Sequence, residues 1–253
     1  MGTDLSMLPV SLTIGGIRHE VIPSEPCTTV DGIMIEAKQS GCGYFYRTLS
    51  LANVTNSPSK QITEPYTLDY TTGISGSLLL HTLRGDDCSE NSFLPVDTEI
   101  KAGEKFVLAP TNGRSSNITA FPFFDLTFDG RAILIAVGWT GQWKCTIERD
   151  AASFNIKIGL EHADFYLLPN ERVLLPSVFV IEGGDAAELR RKFRSIILDD
   201  FNPIANRGGK NTILPISIQS FDRYFSSAPE WSSTPGQLRV LEGAVKCGYF
   251  NTL

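Results

Sequence analysis

The chain has 253 residues, of which 42% are hydrophobic and 20% charged, and its formal net charge is −6. This acidic balance excludes the basic face that phosphate contacts need, so we expect no nucleic-acid partner. No stretch approaches the run of about 18 apolar residues that a membrane span requires, which predicts no membrane association. Residues 1–10 show no signal-peptide pattern, so we expect a cytoplasmic protein.

Short β-prone segments separated by turn residues follow one another along most of the chain. A glycine pair at 15–16 inside segment 12–22 predicts a hairpin. The apolar run AILIAVG at 132–138 predicts a central strand that is covered on both faces. Strands at this spacing are typical of an antiparallel β-sandwich. The other predicted strands, interrupted by a polar surface loop at 84–93, are 33–36, 44–54, 69–80, 106–110, 125–128, 143–148, 154–158, 165–168 and 173–181.

The pattern changes to helical periodicity after residue 184. Asp185, followed three residues later by Glu188, is a capping-box signature for an amphipathic helix that ends at 201–203. A polar, glycine-rich linker at 205–211 then precedes an extended run at 214–219. Thr234 as N-cap and Gly248 as terminator predict a second helix, and 249–253 is β-prone. We therefore predict a β-sandwich domain with its linking helix at 1–200 and a short α/β fragment at 201–253.

The cysteines and histidines show no metal-binding spacing. The cysteine count is odd and no C-x-x-C motif occurs, which favours free, buried, inert thiols in a reducing compartment. The histidines lie far apart in sequence, so we expect no metal and no cofactor; neither a nucleotide-binding glycine motif nor a nucleophile elbow occurs. The residues concerned are Cys27, Cys42, Cys88, Cys145, Cys247, His19, His81 and His162.

Charged clusters are interpreted as solvated surface. The acidic pairs 86–87 and 199–200 are adjacent in sequence, whereas glycosidases need two acids facing one bond from opposite sides. The basic group at 190–194 is interleaved with acids on the first predicted helix, which indicates a solvated helix face.

Aromatic residues are dense between 121 and 143. Most of the phenylalanines, at 121, 123, 124 and 128, are predicted to fill the core. Trp139 and Trp143 stand among small and polar residues in GWTGQW, a setting equally compatible with the core and with a site where sugar rings stack.

Four segments together resemble the N-terminal domain of family 36 glycoside hydrolases, the α-galactosidase group: NGRSSNITAFPFF at 112–124, VGWTGQW at 137–143, LPNE at 168–171 and LPS at 175–177. In that family a galactose-mutarotase-like β-supersandwich precedes a (β/α)8 catalytic barrel. The resemblance covers about residues 105–253 and implies that 218–224 and 236–253 form the entrance of the barrel. The family's catalytic aspartates, and the substrate-contacting aspartate of its first barrel strand, would fall after Leu253, so none is carried over.

The resemblance implies a truncated, catalytically inactive N-terminal part of a retaining α-galactosidase-like hydrolase. It would support the barrel and wall its sugar site, with a galactoside as the partner of the full-length parent. Candidate substrate-proximal residues are Trp139, Trp143 and Arg114. Two alternatives stay open: a free-standing carbohydrate-binding module that uses both tryptophans, and a structural module that forms homo-oligomers. The apolar stripe of the second helix, Leu238, Leu241 and Val245, would lack its barrel partners and lie partly exposed.

Overall fold

The computed structural model describes residues 8–23, 27–40, 43–202, 230 and 233–248. The chain divides into two compact units, Met1–Phe193 and Arg194–Leu253. The described part of the first unit is all β except for one helix. The predicted strand at 214–219, the linker at 205–211, the segment 218–224 and the residues 249–253 lie outside the described residues.

Two large antiparallel sheets make up the first unit in the described part of the chain. In the first sheet the strands run in the order β2-β1-β6-β13-β12-β9, with β14 beside β6. In the second they run β3-β4-β5-β16-β11-β10-β7-β8, with β15 beside β5. The first sheet comprises β1 Val10–Ile14, β2 Ile17–Val21, β6 Ile62–Gly73, β9 Lys105–Leu108, β12 Trp143–Arg149, β13 Ser153–Leu160 and β14 Asp164–Phe165. The second comprises β3 Cys27–Val30, β4 Ile33–Ser40, β5 Phe45–Asn53, β7 Leu78–Leu83, β8 Pro95–Ile100, β10 Phe123–Phe128, β11 Arg131–Gly138, β15 Arg172–Leu174 and β16 Ser177–Gly183.

The inner faces of the two sheets meet in a continuous apolar layer. Alternate residues of β12 and β13 from the first sheet pack with alternate residues of β10 and β11 from the second. A second cluster joins β1 to β4 and β5 at the other side of the sandwich. This is the sheet-on-sheet core of a β-sandwich, and it confirms the predicted all-β architecture.

A buried arginine side chain, that of Arg47, lies near the start of β1. Arg47 has no exposed surface, and its guanidinium donates to the carbonyl oxygens of Leu8 at 2.7 Å and Thr67 at 3.2 Å. Burial lowers the pKa of Arg47 to about 10. The pairing of β6 with β13 shifts between Ile158 and Gly159, which leaves Thr67 as an extra residue in β6. This β-bulge directs the Thr67 carbonyl oxygen toward the Arg47 guanidinium.

The helix α1, Ala186–Ile196, covers the outer face of the second sheet. Its Leu189 is buried, and the ring of Phe193 contacts those of Phe123 and Phe179 at centroid distances of 5.5 and 5.1 Å. Arg190 donates twice to the buried carboxylate of Asp125, at 2.7 and 3.0 Å. The central strand β11 is thus covered on both faces, as predicted, and the basic helix face is fixed by an ion pair at Arg190 rather than being purely solvated.

The second unit contains a π-helical continuation of α1, Ile197–Phe201, and the helix α2, Thr234–Cys247. Gly248 ends α2 with a φ of 67°, as predicted, but the N-cap is Ser233, whose hydroxyl accepts from the Gly236 amide at 3.3 Å, and not Thr234. The predicted apolar stripe is exposed: the exposed fractions are 54% for Leu238, 39% for Leu241 and 71% for Val245.

Several predicted strand boundaries were wrong for identifiable reasons. The segment 69–80 belongs to two strands, because β6 ends at Gly73 and β7 begins at Leu78 in the other sheet. The segment 173–181 is interrupted by Pro176, which has no amide hydrogen for the ladder. Only Phe165 of 165–168 is in a strand. The strands β3 and β8 were missed because their residues are largely exposed and their alternation is weak.

The prediction that the cysteines are buried was also wrong for most of them. Among the described residues Cys145 is buried, whereas Cys27, Cys88 and Cys247 are exposed. The thiols of Cys27, Cys145 and Cys247 are free, as predicted. Cys42 lies outside the described residues.

Candidate functional site at the loop end

Three loops meet at one end of the sandwich, which we call the loop end: residues 84–94, 109–122 and 139–142. Loops 109–122 and 139–142 each pass from one sheet to the other. The strand pairs Cys145 with Leu108 and Phe123 with Ala136 bring the ends of these loops together. Long loops held on a rigid sandwich are the usual place for binding residues.

The side chain of Trp143 anchors the longest of these loops. Trp143 has no exposed surface and is part of the main core. Its indole Nε1 donates to the carbonyl oxygen of Ser115 at 2.9 Å. Because both faces of the ring are covered, Trp143 holds loop 109–122 in position and offers no face on which a sugar can stack.

Trp139 lies at the start of loop 139–142 and is partly buried against the same core. Gly141 allows the indole to fold back over the loop, since a Cβ at Gly141 would lie 3.1 Å from Trp139 Nε1. Arg114 is exposed on loop 109–122, directly after a turn in which Asn112 and Gly113 have φ values of 59° and 74°. Of the three candidates predicted from the sequence, Trp139 and Arg114 therefore have accessible surface at this end.

Loop 109–122 is tied down by its own polar groups. The buried Asn117 donates from Nδ2 to the Thr111 carbonyl oxygen at 3.1 Å, and the Thr119 hydroxyl donates to the Ala109 carbonyl oxygen at 2.6 Å. Gly85 of the neighbouring loop lies against this segment, since a Cβ at Gly85 would stand 2.4 Å from backbone atoms of Asn117. These contacts hold the backbone of loop 109–122 in one conformation.

Gln142 joins the two crossing loops to the end of β13. Its Nε2 donates to the Glu161 carboxylate at 2.9 Å and to the Pro110 carbonyl oxygen at 3.4 Å. Sequence reasoning missed both Gln142 and Glu161. The sequence marks Gln142 only by its position between the two tryptophans. That position does not indicate that its hydrogen-bond partner is Glu161, nearly twenty residues later.

The acidic loop 84–94 uses its carboxylates to shape its own backbone. Asp86 accepts from the Cys88 amide at 2.9 Å, and Asp87 accepts from the Ser89 amide at 3.1 Å and the Ser92 hydroxyl at 2.9 Å. Hydrogen bonds from the hydroxyls of Ser89 and Ser92 hold the pKa of Asp87 below its ordinary value. Among the described residues no group of three or more metal-ligating side chains comes together.

The phenylalanines divide between two environments. Phe124 and Phe128 lie in the core, as predicted, with exposed fractions of 1% and 4%. Phe121 and Phe123 instead belong to a half-buried row of rings on the outer face of the second sheet, in which Phe121 contacts both Phe123 and the exposed Phe93. The row reaches from the loop end to helix α1.

The architecture is similar to parts of several solved structures. One is the α-galactosidase from Lactobacillus brevis, with a TM-score of 0.58 at 12% sequence identity, covering 78% of this chain and 27% of that chain. Another is the galactosidase domain of the α-galactosidase-sucrose kinase AgaSK, with a TM-score of 0.53 at 14% identity, covering 69% and 30%. A third is a variant of the GH36 α-galactosidase AgaA from Geobacillus stearothermophilus in complex with raffinose, with a TM-score of 0.54 at 13% identity, covering 70% and 30%.

The chain shares the fold of a segment of the α-galactosidases. It spans less than a third of the length of these three structures. No protein-family model matches the sequence, and no curated protein matches it. The likeness of this sandwich to these structures is therefore one of architecture, carried by two large antiparallel sheets at very low sequence identity. In the part of the chain that the structure describes, no helix combines the length and the apolar character needed to cross a lipid bilayer.

Proposed function

We propose that this chain is the non-catalytic β-sandwich part of an α-galactosidase-like glycoside hydrolase, and that its loop end walls the sugar site of the catalytic barrel. The observation that carries the proposal is the shared sandwich architecture with three α-galactosidase structures, one of them in complex with raffinose. The exposed stripe of α2 supports it, because an apolar helix face needs a further layer to cover it.

The loop end supports a positioning role rather than a chemical one. Trp143 and Asn117 are buried and hold loop 109–122, while Trp139 and Arg114 keep accessible surface on the loops so held. A partly exposed indole and a guanidinium suit the apolar faces and hydroxyls of a galactoside. The carboxylates of Asp86 and Asp87 are engaged in loop turns and that of Glu161 accepts from Gln142, and we assign acid–base chemistry to the barrel.

The test uses both the chain and the full-length gene product that contains it. The purified chain should not hydrolyse raffinose, and hydrolysis that stays with the chain through purification would refute the non-catalytic role. In the full-length product, Trp139→Ala and Arg114→Ala should raise KM for raffinose about three- to tenfold with little change in kcat, because they remove binding contacts and no reacting group.

Two matched surface variants control for general effects. Tyr166→Ala removes an aromatic ring that is 59% exposed, and Lys60→Ala removes an exposed cation; both residues lie outside the three loops of the loop end. Both should leave KM unchanged. A full-length product that has no α-galactosidase activity, or loop-end variants with the KM of the wild type, would count against the proposal. Raffinose binding by the isolated chain that Trp139→Ala abolishes would instead favour the free-standing carbohydrate-binding module.

A further inference from the structure

A cavity of about 290 Å³ opens at the opposite end of the sandwich, lined by residues of β10, β11 and β16 in the second sheet and by Gly184. We call this end the turn end, because short turns at 74–77, 101–104, 129–130 and 150–152 connect the strands there. Phe128, Ala132 and Ile133 form the apolar part of the cavity, and Arg131, Glu182, Gly183 and Gly184 form its polar part.

Strand register places the two charged residues on the inner face. Phe128 is paired with Arg131, and Ile133 is paired with Glu182. Directly paired residues share a face of the sheet, and both Phe128 and Ile133 belong to the core. Arg131 and Glu182 therefore stand at the mouth of the cavity, as diagonal neighbours with Cβ atoms about 7–8 Å apart.

Neither residue forms a salt bridge within the part of the chain that the structure describes, although the Asp129 carboxylate lies close enough to Arg131 to feel its charge. Among the described residues no oppositely charged group lies within 4.0 Å of Arg131 or of Glu182. The Arg131 guanidinium rests over the Phe128 ring, 4.7 Å from its centroid. The Glu182 carboxylate accepts a hydrogen bond from the hydroxyl of the buried Tyr70 at 3.4 Å. A guanidinium offers only donors and a carboxylate only acceptors, so the exposed Arg131 and the half-buried Glu182 keep donors and acceptors available at the rim of the cavity.

We propose that this cavity binds one neutral sugar ring, such as the terminal hexose of an oligosaccharide. Each hydroxyl of a sugar both donates and accepts, so adjacent hydroxyls can donate to Glu182 and accept from Arg131 at the same time. The apolar edge of the ring would lie over Ile133, which shares the inner face with both charged residues. The Phe128 face is covered by Arg131, so the site holds its ligand by hydrogen bonds rather than by stacking. The choice of a sugar rests on the proposed function.

The volume lies at the lower end of the range of ligand pockets, about 300 Å³, which suits a small ligand such as a single ring. We expect a Kd for galactose of about 1 mM, in keeping with a small polar ligand in an open site. This site is separate from the loop end, because the residues that line it are at the opposite ends of the same strands.

The test is a titration of the full chain with galactose and with raffinose, followed by the backbone amide signals of Gly183 and Gly184 in NMR spectra. Saturable shifts of these two amides are expected. Arg131→Ala and Glu182→Ala should weaken binding about tenfold or more, whereas Glu182→Gln, which keeps an acceptor oxygen, should weaken it about threefold or less. Tyr166→Ala and Lys60→Ala are the surface controls.

Three results would overturn the inference. One is the absence of shifts at sugar concentrations about tenfold above the expected Kd. Another is binding that survives Arg131→Ala and Glu182→Ala. The third is that the cavity binds glycine and not galactose, and that Glu182→Gln abolishes this binding. Such a result would show that the ammonium group of a zwitterion, and not a neutral sugar, is the partner of the Glu182 carboxylate. If the titration is negative but the full-length product hydrolyses raffinose, only the inference about this cavity fails and the proposed function stands. If Gly183 and Gly184 shift but the full-length product has no such activity, the proposed function fails and the cavity remains a sugar-binding site.

Discussion

The connections between strands differ in length and in the contacts that hold them at the two ends of the sandwich. At the loop end, segments 84–94 and 109–122 are long, and buried side chains such as Trp143 and Asn117 hold them. At the turn end the connections are short, and backbone-to-carboxylate bonds such as those at Asp129 hold them. The loop end therefore depends on buried side chains together with hydrogen bonds inside its loops, whereas the turn end depends on hydrogen bonds between neighbouring turns.

The largest effect should come from removing the anchor of the loop end. Trp143→Ala deletes a fully buried ring and leaves the Ser115 carbonyl oxygen without its donor. The free energy of unfolding should fall by about 3–5 kcal/mol, measured by urea denaturation. Trp143→Phe keeps most of the apolar contact and should cost clearly less; equal losses for the two variants would show that the ring volume is not what holds the loop.

A smaller loss is expected from adding one methyl group between the two long loops. In Gly85→Ala the new Cβ would lie 2.4 Å from the Asn117 backbone, so the loops must separate, at a cost of about 1–3 kcal/mol. The matched control is Gly184→Ala at the turn end, where no atom lies within 4 Å and the change should stay within about 0.5 kcal/mol. Comparable melting temperatures for the two variants would contradict the difference between the ends.

The hydrogen bonds that Gln142 makes between the crossing loops should contribute less to the free energy of unfolding than the Trp143 ring or the close packing at Gly85. Gln142→Ala removes the bonds to Glu161 and Pro110, and we expect a loss of about 0.5–1.5 kcal/mol in the free energy of unfolding. Amide hydrogen exchange should speed up in loops 109–122 and 139–142 and stay unchanged at the turn end. Faster exchange at 129–130 as well would mean that the two ends are not independent.

The smallest effect concerns pH at the turn end. The Ser75 and Gly76 amides donate to the Asp129 carboxylate at 2.9 and 2.7 Å and hold the pKa of Asp129 below its ordinary value. A lowered folded-state pKa stabilises the fold above the unfolded value of about 3.9, and this contribution is lost as the pH falls through the folded value.

Asp129→Asn should therefore lower the melting temperature slightly at pH 7, and the difference from the wild type should vanish in acid. Asp150→Asn, in the neighbouring turn, is the control for loss of one surface charge. A difference from the wild type that grows as the pH falls would contradict the expected direction of this pH dependence.

Much of the fold could be predicted from local patterns, because a strand's alternation is written in adjacent residues. The Gly15-Gly16 hairpin, the doubly covered strand β11 and the Gly248 helix end all follow from backbone preferences within a few positions. The break at Pro176 is a local feature of the same kind, although the apolar run around it favoured one continuous strand. Edge strands such as β8 were not predictable in this way, because their side chains face water on most positions.

The candidate site was less accessible to sequence reasoning. The motif GWTGQW pointed to the right loop but could not tell Trp139 from Trp143, since both stand among the same neighbours. Only the register that brings β12 beside β9 decides which ring is enclosed by loop 109–122. The cavity at Arg131 and Glu182 was invisible for the same reason, because two residues that are distant along the chain become neighbours through strand pairing.

Local periodicity and turn chemistry are sufficient to predict the β-sandwich class, most strands and both helices. Only the tertiary structure shows that Trp143 is an anchor, that Gln142 joins two loops, that Arg190 pairs with Asp125, and that Arg131 and Glu182 line one cavity at the turn end. Each of these depends on long-range pairing, whose geometry is set when the two sheets bury their common core and not by any segment of the chain alone.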